Sequence, residues 1–467
     1  MDIVFLGHQT VLMERDGVRI LVDPVFRHRM AAERVAIFPP KRLDLDGLLP
    51  IAAVVLSHTH LDHLDGEALR AINKDALVFV STLSYGRVAP LLATMGFDPG
   101  RVIPLQPTGQ VRVGPFRVGA AKFGRLSNEF GLGEPDVTPV VVRDADDAVL
   151  NFVDLFPDQP HEVAAVEAAF GPLSAIITAW NYTRGRAAIA AGAIDPAQVA
   201  GQQADALAGV FDTLGAPNVL MVGNGFVLED QFAVFNAQMF PVSRAQICAA
   251  ANVRSQRARF CALDEGRRYR LCRGTLEAGE PVEWYHPEPG GVGQEYDAAA
   301  TVPAQYVPFL GEDPLSKAEV EALEQFLGGP YRHWLQFRYL TQFLFAGLVV
   351  DGRYHEGLGL ALRSTASSIC YRFLRGPEGV MFLDASETDL AACHVVVEIT
   401  ARDFLGLIRA EIVLIDPVYY DVHPTEAFLA NLPVPADPVL LEPMGVFDPF
   451  YHGPAIARAL GLETKDH

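Results

Sequence analysis

Residues 56–65 read LSHTHLDHLD, which places three of the chain's 13 histidines and two aspartates within ten positions. Imidazole nitrogens and carboxylate oxygens are standard protein ligands for divalent cations, so this stretch carries the donors of a metal site. In an extended segment residues two apart share a face. His58 and His60 can therefore grip one ion, while Asp62 and His63 turn away at the start of the next helix and can hold a second. A solvated, histidine-rich loop is the plainer alternative. The order H-x-H-x-D-H directly after an apolar strand outweighs it, and the expectation is two divalent metal ions in one nest.

Such a loop needs a buried strand before it and a helix after it. Ile51 to Leu56 supplies the strand, and "GEALRAIN" has the periodicity of a helix. The first third of the chain repeats this alternation: "DIVFLG", "TVLMERDGVRILVDP", "ALVFVS", "GRVIPL", "FRVGAAKF", "TPVVVRD" and "AVLNFVD" read as strands bounded by turn residues, with "RVAPLLATMG" as an interposed helix. Strands with helices between them indicate a layered α/β architecture. A helix-rich stretch follows at about 186–214, and "NVLMVGNG" returns as a strand. The Gly- and Pro-rich segment from 254 to 310 reads as an irregular connection, with helices at about 316–348 and strands followed by a helix beyond. The expected domains are a metal-binding domain over 1–253, an irregular connection with helices over 254–350, and an α+β domain over 351–467.

Composition narrows the partners. With 37 Lys and Arg against 57 Asp and Glu the net charge is −20, so long-range electrostatics disfavour nucleic acid and anionic membranes. The first residues carry Asp2, Glu14, Arg15 and Asp16 without the basic and apolar segments of a secretion signal. The apolar run "FLFAGLVV" is far short of the ~20 residues that cross a bilayer. A soluble, cytoplasmic chain is expected. The five cysteines form no C-x-x-C pair, which fits reduced thiols and gives no zinc-finger or iron–sulfur signature.

The H-x-H-x-D-H loop, together with "FLGHQTVLMERDGVRILVDPVF" at residues 5–26, resembles the metallo-β-lactamase superfold, in the branch that includes N-acylphosphatidylethanolamine phospholipase D. The resemblance covers roughly residues 1–250 and implies a four-layered αβ/βα sandwich with metals at one edge of two sheets, followed by a smaller α+β C-terminal domain. It implies that Asp154, ending "VLNFVD", bridges the metals. It also implies that His8 of "GHQT" lies beside them and orients a ligand, which makes His8 and Asp62 the candidate catalytic pair. A superfold of this kind does not specify a reaction.

Hydrolases of the superfold carry a further histidine before the bridging aspartate and another after it. This chain has none from Leu64 to Pro160 and none from Glu162 to Tyr285. The loop "RLSNEFGLGEPD" offers Asn128, Glu129, Glu134 and Asp136 instead, of which Glu129 is the chosen ligand; Glu229 and Asp230, or the distant His286 and His452, are candidates for the last. Oxygen-rich sites suit iron or manganese better than zinc, so iron is favoured. "GEPDVTPVVV", "AVLNFVDLFPDQP", "AIITAWNYTRG" and "PNVLMVGNGFVLEDQFAVFNAQ" resemble blocks of the CMP-N-acetylneuraminate hydroxylase group, although the chain lacks that group's Rieske pattern. A diiron β-hydroxylase of the chloramphenicol pathway is similar in having Glu where the hydrolases have His. "ACHVVVEITARDFLGLIRAEI" is similar to sterol-carrier-like modules.

The leading expectation is a non-heme diiron oxygenase or oxidase acting on a small metabolite, with dioxygen and an external electron donor as partners and a homodimer as the assembly. The alternative is a hydrolase of a phosphodiester, lactone or amide that uses zinc, manganese or iron. A metal-poor binding protein is the third reading.

Overall fold

The computed structural model describes residues 1–30, 35–37, 39–59, 62–121, 137–153, 160–179, 196–215, 217–223, 226–228, 242–288, 310–335, 345–350, 352–409, 420–426 and 428. The described residues up to Glu288 form one compact unit, and those from Leu310 onward form a second.

Two large sheets make the first unit. One runs, in spatial order, Thr275–Pro281, Arg267–Cys272, Asp2–Phe5, Val11–Arg15, Val18–Val22, Ala53–Leu56, Leu77–Ser81 and Val102–Leu105. Its neighbours are antiparallel as far as Val18–Val22 and parallel beyond it. The other runs Gln110–Val113, Phe116–Ala120, Val140–Arg143, Ala148–Asn151, Ala175–Ala179, Asn218–Val222 and Arg259–Ala262. Alternate side chains of a strand point to opposite faces, and both faces here are apolar. Ile3, Met13, Ile20, Val55 and Phe79 meet Val118, Val142, Ile177 and Leu220 between the sheets.

The outer faces are covered by helices. Val54, Leu56 and Val78 pack on Leu48, Leu69 and Leu92 from helices Leu45–Leu48, Gly66–Ala71 and Tyr85–Thr94. Leu150, Ile176 and Val219 pack on Val163, Phe211 and Ile247 from Pro160–Phe170, Pro196–Leu214 and Arg244–Arg254. The result is the four-layered αβ/βα sandwich expected from the sequence. At about 1.5–3 kcal/mol for each fully buried large apolar side chain, these three clusters fix the strand ends firmly enough to tolerate strained residues there.

The second unit carries a mixed sheet in the order Gly379–Ala385, Ser368–Gly376, Leu358–Arg363, Val395–Thr400 and Tyr420–Pro424. Helix Ala401–Ile408 leaves Val395–Thr400 directly and buries Phe404, Leu405 and Leu407. This is an α+β arrangement, as expected.

The segment read as an irregular connection differs from that expectation. Residues 259–281 supply one strand to the second sheet and two to the first, and Lys41–Leu43 pairs with Tyr285–Pro287. The first unit therefore continues well past residue 253. Among the described residues, no helix is long and apolar enough to cross a membrane.

Candidate metal centre

Three strands of the first sheet end at one edge and deliver the site. Asp2–Phe5 runs into a turn in which Leu6 N donates to Thr10 O at 2.9 Å and Thr10 N donates to Gly7 O at 3.1 Å. Val18–Val22 ends at Asp23, and Ala53–Leu56, its parallel neighbour, ends at Ser57 and His58. Thr10 Oγ1 donates to Asp23 O at 2.7 Å and accepts from Val25 N at 3.0 Å, tying the first turn to the second. Asp65 caps helix Gly66–Ala71 and accepts from Phe26 N at 2.7 Å and Arg27 N at 3.0 Å. The second sheet reaches the same edge, where Thr138 N donates to Ser57 O at 3.1 Å. His8 at φ 53° and Asp23 at φ 44° occupy the left-handed region, at roughly 1–3 kcal/mol each.

Asp23 sets the chemistry of two imidazoles. Its Oδ1 accepts from Ser57 N at 2.8 Å, and its Oδ2 accepts from Ser57 Oγ at 2.6 Å and from His63 Nδ1 at 2.9 Å. Because the Ser57 hydroxyl proton points to Asp23, Ser57 Oγ is an acceptor toward His58 Nδ1, 2.9 Å away. Both rings therefore carry their proton on Nδ1 and present the Nε2 lone pair, the tautomer that binds a cation. The two rings lie 4.1 Å apart between centroids.

His8, Asp62 and His63 form a buried cluster whose ligand atoms lie within 4.8 Å of one another. His8 Nε2 donates to Asp62 Oδ2 at 2.9 Å, and the same oxygen is 3.5 Å from His63 Nε2. With His63 protonated on Nδ1, these last two atoms are both acceptors and repel unless a proton or a cation lies between them. Asp62 Oδ1 is buried with no hydrogen-bond partner among the described residues, which a cation would also satisfy. Burial would push the Asp62 carboxyl up, but with the proton supplied on His63 Nε2 the charge and hydrogen bond of that ring, with those of His8, outweigh burial and hold the carboxyl well below the usual carboxylate range. The residues present fit a divalent metal.

The structure thus brings together His8, His58, Asp62 and His63. His60, Glu129, Asp154, Glu229 and Asp230 lie outside the described residues, as do Asn128, Glu134, Asp136 and His452. Beside Asp154, Val153 takes φ 59° with its N–H held by Asn151 Oδ1 at 2.9 Å. A β-branched residue in that region is an outlier, and strain of this kind collects at functional sites. His286 pairs in register with Arg42 in the small ribbon, and it is not in the cluster.

Two residues escape the sequence reading. Asp23 is one, because a lone Asp before Pro reads as a turn. The other is Lys41, 3 % exposed, with no hydrogen-bond partner for its Nζ among the described residues. Burial pushes its ammonium down to about 8, against the opposing pull of Glu265 and Asp65. The unfolded chain keeps this proton up to about 10.5, so the unfolded state binds more protons between pH 8 and 10.5 and stability from this group rises with pH across that window. Urea unfolding of the wild type and of Lys41→Met at pH 7.5 and 10.5 should show the difference: the variant gains roughly 3 kcal/mol at the lower pH and little at the higher. Equal gains at both would remove Lys41 as the source.

Residues 18–175 match the family model of the beta-lactamase superfamily domain. An uncharacterised protein of Mycobacterium tuberculosis is 39% identical over 76 residues, 15% of this chain and 20% of that protein. The N-acyl-phosphatidylethanolamine-hydrolyzing phospholipase D 1 of Caenorhabditis elegans is 37% identical over 71 residues, again 15% of this chain and 20% of the relative. The match thus spans about a fifth of the length of each of these curated relatives. Among solved structures, the isothiocyanate hydrolase from Delia radicum gut bacteria is similar at TM-score 0.39 and 16% identity, over 58% of this chain and 100% of its own. The diiron beta-hydroxylase CmlA of Streptomyces venezuelae is similar at TM-score 0.38 and 18% identity, over 60% and 54%. At these values neither carries an activity or a metal over to this chain.

Proposed function

We propose that the beta-lactamase superfamily domain at residues 18–175 is the core of a metal-dependent hydrolase of a small ester, lactone, amide or phosphodiester. The observation that supports this reading over an oxygenase is the tautomer of His58 and His63, both of which present an Nε2 lone pair. Two imidazoles against the one carboxylate of Asp62 suit zinc at least as well as iron.

His58, Asp62 and His63 would hold the cations, with His60, Asp154, Glu129, Glu229 and Asp230 as proposed further ligands. Bound cations would lower the pKa of a water toward about 7 and polarise the substrate's carbonyl or phosphoryl oxygen. The chain's own residues do the rest. Asp23 fixes both imidazole tautomers, directly at His63 and through Ser57 at His58. His8 holds Asp62 Oδ2 and so fixes the direction in which the carboxylate faces the cations.

Elemental analysis of protein from cells supplied with both metals checks the reading. The expected result is zinc in excess of iron, with hydrolysis of a chromogenic ester or phosphodiester lost on chelation and restored by zinc. The second reading, a diiron oxygenase, rests on the absence of histidine from Leu64 to Pro160, which leaves carboxylates to complete the site. Iron in excess, near-ultraviolet absorption and reductant-dependent oxygen uptake would replace the first reading with the second.

A further inference from the structure

Among the described residues Lys41 is a buried cation with no hydrogen-bond partner for its Nζ. Two carboxylates act on it electrostatically, Glu265 and Asp65, but each already holds an arginine. Arg244 Nη2 lies 2.8 Å from Glu265, and Arg27 Nε lies 3.2 Å from Asp65. Among the described residues three cations thus share two carboxylates, and Lys41 is the one left over. An isolated buried ammonium is costly, so its position needs a ligand or a reason.

A second unpaired donor lies on the same ribbon. Leu43 pairs directly with Tyr285 and Lys41 with Pro287. Residues two apart in a strand share a face, so Lys41 and Tyr285 lie on one side of the ribbon as diagonal neighbours. Tyr285 Oη is also buried with no hydrogen-bond partner among the described residues, and Glu265 is its electrostatic neighbour too.

Two glycines make the room. Gly266, at φ +71°, lets the Tyr285 ring pass where a Cβ would come within 2.2 Å of Cδ1. Gly7, at φ +97°, precedes His8 in the turn of the metal centre, and the place its Cβ would take is 3.4 Å from Lys41 Nζ, with Pro39 Cδ at 3.6 Å and Glu265 Cγ at 4.0 Å. The backbone conformation alone accounts for a glycine at position 7. The bare Cα of Gly7 thus brings the turn that carries His8 close to the Lys41 ammonium.

We propose that Lys41 Nζ and Tyr285 Oη form an oxyanion subsite beside the metal centre, taking a carboxylate or phosphate oxygen of the substrate. An anionic oxygen is the group that satisfies an ammonium and a phenol together and also offsets the surplus charge. The inference rests on the metal-centre reading only in that it places this oxyanion on the same substrate.

The test uses the full chain after chelation, in Tris buffer, with thermal unfolding followed as inorganic phosphate or acetate is added. After chelation neither anion can bind through a metal ion. The wild-type midpoint should rise by roughly 2–4 °C at saturation; a rise with phosphate alone assigns a phosphoryl group, and with acetate alone a carboxylate. Lys41→Met should lose the rise and, in the absence of anion, melt above the wild type, because it removes an unpaired buried charge. Tyr285→Phe should fold and show a smaller rise. His63→Ala should keep the rise while losing metal, which separates this subsite from the metal centre. No rise in the wild type with either anion, a full rise in Lys41→Met, or a Lys41→Met protein less stable than the wild type without anion would overturn the proposal.

Discussion

Asp62→Asn is expected to lose nearly all bound metal and all activity while keeping the fold. The substitution preserves shape but removes the charge on which His8 and His63 converge. One amide nitrogen would then replace an acceptor, and it cannot serve both the His8 N–H and a cation. Loss of a group that merely supports a ligand costs about 10–100-fold in metal affinity, so loss of this carboxylate should cost roughly 100-fold or more. Equilibrium dialysis against zinc, with circular dichroism to confirm the fold, measures it. Full stoichiometry and unchanged affinity would show that Asp62 is not part of the centre.

The second large effect belongs to a residue that touches no metal. Asp23 is fully buried and accepts from Ser57 N, Ser57 Oγ and His63 Nδ1. In Asp23→Ala three buried donors lose their acceptor, at about 1–3 kcal/mol each if left unsatisfied, and the variant should unfold at much lower urea. Asp23→Asn separates stability from chemistry. It keeps one acceptor and presents one NH2 to partners that are themselves donors. His63 then favours protonation on Nε2 and turns its lone pair away from the centre. Metal affinity should fall about 10–100-fold with a smaller loss of stability than in Asp23→Ala. Nitrogen-15 shifts of the imidazoles give a direct readout, because a purely structural Asp23 would leave the tautomers unchanged.

The contrast between Asp62 and Asp23 shows what a sequence makes legible. His58, Asp62 and His63 declare themselves because a short loop after a strand fixes their mutual positions through local geometry. Asp23 acts on Ser57 and His63 across 34 and 40 residues, and nothing local marks it. Its role appears only when Val18–Val22 and Ala53–Leu56 pair in parallel and end side by side. Lys41 is hidden for a related reason, since a lysine reads as exposed until Tyr285–Pro287 covers it. The same limit explains the segment from 254 to 287. Arg267–Cys272 and Thr275–Pro281 lie at the border of a sheet, where Arg268, Arg270, Glu277 and Glu280 face solvent. Charged border strands beside a Gly- and Pro-rich stretch lack the apolar runs that identify the central strands. The layered architecture itself was legible because those central strands are buried on both faces and read as continuous valine, isoleucine and leucine.

The order of assembly follows from how the centre is tied. Its defining contacts join residues 34, 40 and 54 positions apart, and the closure of such loops must precede any reward from them. In a free chain nothing holds His8 and Asp23 beside the local pair Asp62 and His63 in advance. A cation would therefore bind last, as a late tenant of a finished sandwich. Small zinc domains, which are unfolded until metal binds, follow the opposite sequence of events. Here starvation for metal would leave an intact, waiting apoprotein in the cell, ready to be charged without refolding.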